Sequence, residues 1–130
     1  MASQIINEVR TTTDVVWARL SAQLHGLEPH MERSDAPEEW PTRQVLCHLL
    51  AEPGWRPVPV LFSFATTNLP VIEIKQGQMN LTPEREMMSL RHFEGALKRH
   101  RREAFSYLET LGDEDLQRKA RIPLFECGRC

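Results

Sequence analysis

Two stretches of the chain place apolar residues every three to four positions, and this constrains the fold more than any other feature of the sequence. In the first, Ile5, Ile6, Val9, Val16, Leu20, Leu24 and Leu27 fall at helical spacings, with Thr13 filling a gap. In the second, Leu90, Phe93, Leu97, Ala104, Leu108 and Leu111 do the same. A stripe of this period covers one face of an α-helix and must be buried against another element. The sequence therefore predicts an all-α fold built from amphipathic helices.

The breaks between stripes set the order of elements. A first helix is expected to end near Gly26, before a charged loop over 30–39 that is flanked and interrupted by Pro29 and Pro37. A second begins around Trp40-Pro41-Thr42, with proline in the first turn and threonine able to cap, and buries Val45, Leu46, Cys47, Leu49 and Leu50. Pro53-Gly54, Pro57 and Pro59 interrupt it. Val58–Ala65 reads as a second half of this helix, with a buried strand as the alternative that length leaves open. Residues 66–80 read as an extended crossover containing Asn68, Pro70, Gly77 and Asn80 among Val71, Ile72 and Ile74. Thr82-Pro83-Glu84 combines a cap, a proline at the first helical position and an acid near the positive end of the dipole. A third helix is expected from there to Leu111, with an exposed Glu94–Lys98 pair. Gly112 is expected to stop it in the left-handed conformation, and Asp113 to cap a short helix over 116–119.

After Ala120 the pattern fails: Arg121-Ile122-Pro123-Leu124-Phe125 reads as apolar coil and 126–130 has no periodicity. The expectation is one helical domain over 1–125 with an irregular tail over 126–130. Three helices plus a short one leave apolar stripes that an antiparallel up-down bundle closes with a fourth, and the sequence pattern lacks that fourth helix.

Composition narrows the functional classes. The chain has 130 residues, 41% hydrophobic and 26% charged, the balance of a globular protein with one core. A net charge of −2 provides no long-range field for nucleic acid or anionic lipid, so neither is an expected partner. No run approaches the roughly 20 apolar residues that span a bilayer, and the first residues do not read as a secretory leader. Cys47, Cys127 and Cys130 are too few and too uneven for a disulfide framework, which fits a reducing compartment and a cytoplasmic location.

His48 is the leading candidate for chemistry. Val45, His48, Leu49 and Glu52 sit at i, i+3, i+4 and i+7, so a continuous helix would put an imidazole on a core-facing stripe four residues from a carboxylate. Such an imidazole can ligate a metal or act as a base, and it can equally be a buried, hydrogen-bonded histidine. His100 lies within Lys98-Arg99-His100-Arg101-Arg102, which reads as a solvated face more readily than as a phosphate-binding patch. His25, His30 and His92 have polar or loop-like surroundings. Cys127-Gly128-Arg129-Cys130 has the spacing of a redox pair or half a zinc site without the context that either requires. The chain has no phosphate loop, dinucleotide fingerprint, G-x-S-x-G or H-E-x-x-H motif.

The stretch Glu39-Trp40-Pro41-Thr42-Arg43-Gln44-Val45-Leu46-Cys47-His48-Leu49-Leu50 resembles the second helix of the DinB-like (YfiT-type) superfamily, where a histidine follows a tryptophan by eight residues. Pro53-Gly54-Trp55, Thr82-Pro83-Glu84-Arg85 and the run from Tyr107 through Asp115-Leu116 to Phe125 extend the resemblance over about residues 5–125. The resemblance implies a four-helix bundle, often a homodimer, holding zinc or nickel on three histidines. His48 matches the first, from helix two; the other two come from an H-x-x-x-H pair on the last helix, which no part of this sequence matches. The implied activities are hydrolysis or isomerisation of a small molecule, or transfer of a low-molecular-weight thiol, using a metal-activated water or thiol. With one of three ligands present, the metal site is expected to be incomplete. The alternative is a non-catalytic helical module that self-associates or binds a partner helix.

Overall fold

The computed structural model describes residues 1–72 and 80–119, and the expectations for Ile74, Gly77 and residues 120–130 lie outside them. The described residues form an all-α structure. Its helices are α1 (Ala2–Leu24), α2 (Thr42–Leu50), α3 (Pro57–Thr66), α4 (Pro83–Glu86) and α5 (Leu90–Leu108), with single 3₁₀ turns at Glu28–His30 and Asp115–Gln117. None of these helices is long and apolar enough to cross a membrane.

Helix α5 is the hub, packing against α1, α2 and α3. Arg10 of α1 pairs with Glu109, and Arg101 of α5 pairs with Asp14, while the Ala2 amide donates to Asp113, so α1 and α5 run antiparallel. By contrast α3 runs parallel to α5: Trp55 meets His100, Arg56 pairs with Glu103, and Phe62 meets Tyr107. Strict up-down order therefore stops at α3, because the long connection after it lets the chain return to the same end of the bundle before α5 begins.

The tightest core lies at one end. Leu24, Met31, Leu46, Cys47, Leu50, Leu90 and Phe93 form a buried cluster, with Phe93 and Cys47 at 0% exposure. Leu20, Leu27, Leu81, Met88, Ala96 and Leu97 pack around it. Toward the other end of α1 only Ala2 and Ile6 are buried, whereas Ile5, Val9 and Val16 of the predicted stripe are exposed.

Several local expectations are corrected. Helix α1 begins at Ala2, ahead of Ile5, while its end at Leu24 lies near Gly26 as expected, the chain turning there at a φ of 82° that is open to glycine. Pro41 precedes α2 instead of lying inside its first turn; loop carbonyls, Arg33 to the Thr42 amide and Met31 to the Arg43 amide, satisfy the first donors. Val58–Ala65 is helical, but within a separate helix, α3, that starts at Pro57, so Pro57 and Pro59 lie in its first turn instead of interrupting α2. The expected third helix is two helices. Thr82 caps α4 through the Arg85 amide, the chain breaks over 87–89, and Ser89 caps α5 through the His92 amide. Gly112 does not take the left-handed conformation, since α5 has ended at Leu108 and turns carry the chain onward. Asp113 accepts from the start of α1 instead of capping a following helix. No Glu94–Lys98 ion pair forms; Lys98 Nζ lies 6.0 Å from the centre of the Trp17 ring.

Candidate functional site around His48

Helix α2 has two apolar faces, one carrying Val45 and Leu49 and the other Leu46 and Leu50. Packing selects the second, with Cys47, as the buried face. The choice has a physical reason. Burying the first would bring the His48 imidazole into the core, whereas the second brings in only a small thiol. Val45, His48 and Leu49 are consequently exposed, which corrects the expectation that His48 faces the core. Glu52 also leaves the expected register, because Ala51 ends the helix with φ 65° and ψ −167° before Glu52 is reached.

His48 meets Trp40 in space. Their ring centres lie 5.4 Å apart at 62°, an edge-on contact that stations the indole beside the imidazole at the mouth of the exposed face. Among the described residues no group of three histidine, cysteine, aspartate or glutamate side chains converges to hold a metal ion. A divalent ion with an open coordination position needs about three protein ligands, so the described residues do not fit such an ion by themselves. Cys127 and Cys130 lie outside the described residues.

The other histidines are placed separately. His100 of α5 meets the Trp55 ring at 5.3 Å, and burial lowers its pKa, with Glu103 opposing and Arg99, Arg85 and Arg56 reinforcing the effect. His92 is exposed on the first turn of α5. The basic run is divided: Arg101 pairs with Asp14 and lies over Phe105, while Lys98, Arg99 and Arg102 face outward. A concavity of about 610 Å³ runs along Asn7, Glu8, Thr11 and Thr12, and one of about 530 Å³ lies between the end of α3 and Glu114–Lys119; neither is lined by His48.

Two arginines that sequence reasoning passed over organise the surroundings of α2. Arg43, in its first turn, donates through Nη1 to the carbonyls of Arg85 (2.9 Å) and Met88 (2.5 Å), and through Nε to Glu32. Arg85, from α4, donates through Nη1 to Ala51 O (2.5 Å), Asn80 O (3.0 Å) and Cys47 O (3.3 Å) at the other end of α2. A signal was available. Both arginines sit in the first turn of a helix, where the macrodipole favours acids, so each needs a compensating partner elsewhere.

No family model, curated protein or solved structure matches the chain.

Proposed function

We propose that the chain is a DinB-like helical domain of the class that contains metal-dependent hydrolases and low-molecular-weight-thiol transferases, acting in the cytoplasm, with His48 as its helix-two ligand histidine. The observation that carries this reading is the Trp40–His48 pair, which places the two residues of the resembling motif against each other at 5.4 Å. Exposure of His48 between Val45 and Leu49 adds support, since a ligand histidine has to be reachable by groups from another element. Among the described residues no group of three histidine, cysteine, aspartate or glutamate side chains converges, so the reading includes no metal-dependent step and expects zinc or nickel to be held weakly.

Metal content of the purified chain, compared with a His48→Ala variant, tests it. The expected result is substoichiometric zinc or nickel that falls further on substitution. Stoichiometric metal that survives His48→Ala removes His48 from the site and sinks the reading.

A second reading, a module that associates through helix faces, is favoured by a separate observation. Ile5, Val9 and Val16 lie at i, i+4 and i+11 on one side of α1 and are 47%, 46% and 59% exposed. Sedimentation over a range of concentrations is expected to show association that Val9→Glu and Val16→Glu weaken. A monomer at every concentration counts against it.

A further inference from the structure

The end of α2 carries an unfavourable backbone conformation. Ala51 adopts φ 65° with ψ −167°, a region ordinarily left to glycine, and Asn80 has φ 59°. One guanidinium holds both carbonyls: Arg85 Nη1 donates to Ala51 O and to Asn80 O, and also reaches Cys47 O in the last full turn of α2. Arg85 is held in turn, because Arg43 donates to its carbonyl and to that of Met88. Beneath this clamp lies Cys47, fully buried. Beyond it, Glu52, Pro53 and Gly54 are exposed, so the chain can change course there without disturbing the core.

We propose that the Ala51 turn is a strained latch closed by Arg85, whose opening relaxes Ala51, loosens the last turn of α2 and uncovers Cys47 while the rest of the bundle stays folded. Conformations of this kind persist only where surrounding contacts over-determine them, and here the contacts come chiefly from one side chain. Loss of that side chain removes the hold and leaves the strain, so the open state gains population locally. Removing the strain instead, by replacing Ala51 with glycine, favours the closed state. The two changes therefore act in opposite directions at one turn. The inference does not depend on whether His48 binds a metal.

The test is the rate at which iodoacetamide alkylates Cys47 in the full chain carrying Cys127→Ser and Cys130→Ser, followed by mass spectrometry without denaturant. Arg85→Gln is expected to raise the rate about tenfold or more with helicity retained, and addition of Ala51→Gly to reverse most of that increase. In the otherwise unaltered chain, Ala51→Gly is expected to slow alkylation severalfold, which keeps the test decisive if Arg85→Gln does not fold. An unchanged rate in Arg85→Gln overturns the latch, and so does an unchanged rate in Ala51→Gly. Alkylation that tracks global unfolding across a urea series overturns it as well, because the opening would then not be local.

Discussion

His100 shows how a single side chain couples this bundle to pH. Burial against Trp55 lowers its pKa below the ordinary value near 6.5, so between the two values the unfolded chain binds a proton that the folded chain refuses. Its contribution to stability is complete above about pH 6.5 and is lost as pH falls through the lowered folded pKa. The urea midpoint is expected to drop on acidification from neutral pH, and His100→Gln to flatten that part of the curve; an identical profile in the variant would assign the effect to other groups. Cys47 acts at the opposite end of the scale. Burial pushes its thiol up, partly opposed by Arg85 and Arg43, so its contribution is present below the unfolded thiol value and is lost with rising alkalinity. Phe93, at 0% exposure in the tight core with Arg43 against its ring, has no room to collapse when truncated. Phe93→Ala is expected to cost about 3–5 kcal/mol in urea unfolding. None of these three roles follows from residue type alone: a histidine within five basic-run residues, a cysteine and a phenylalanine acquire them through their neighbours.

At the scale of elements, much of the helical content was legible and the ends were less so. The proline at the first position of α4 and its threonine cap were read correctly from Thr82-Pro83-Glu84. The break that follows was missed, although Ser89 stands directly before Leu90 and three residues before His92, the position for capping a new helix. Periodicity gave no warning here because the stripe begins only at Leu90, and the helix was carried back to Thr82 on the start signal of Thr82-Pro83-Glu84 alone. Ser89→Ala is expected to destabilise the chain by about 1 kcal/mol, read as a lower urea midpoint with unchanged slope. Glu28 adds to this terminus by accepting from the Leu90 amide across the loop, a contact of high sequence separation that no local rule reveals. In α2 the ambiguity was of another kind. Its two apolar faces satisfy the same helical period, and only contact with Leu24, Met31, Leu90 and Phe93 decides which one is buried.

For the molecule as a whole, one helix carries the architecture. Helix α5 touches three others, whereas α1 contributes a narrow buried edge and leaves Ile5, Val9 and Val16 on its flank. Complete burial of an exposed valine or isoleucine stabilises by about 1.5–3 kcal/mol, so half-exposed side chains retain roughly half of that for an association. That reserve is the energetic basis for the concentration-dependent sedimentation expected under the association reading. The candidate site depends on the same arrangement: His48 is presented outward because the core of the molecule is built on the opposite face of α2.

The amino-acid sequence by itself determined that the chain would be helical, that Pro53-Gly54 separates two helical stretches, and that Thr82-Pro83 opens a helix. Those outcomes rest on interactions within a few residues: backbone sterics, caps and the helical period. The tertiary structure alone decided that His48 faces outward, that α3 runs parallel to α5, and that Arg43 and Arg85 clamp both ends of α2. Those outcomes depend on pairings between residues tens of positions apart, where burial of polar groups and the reach of a guanidinium choose among arrangements that the local pattern leaves equivalent.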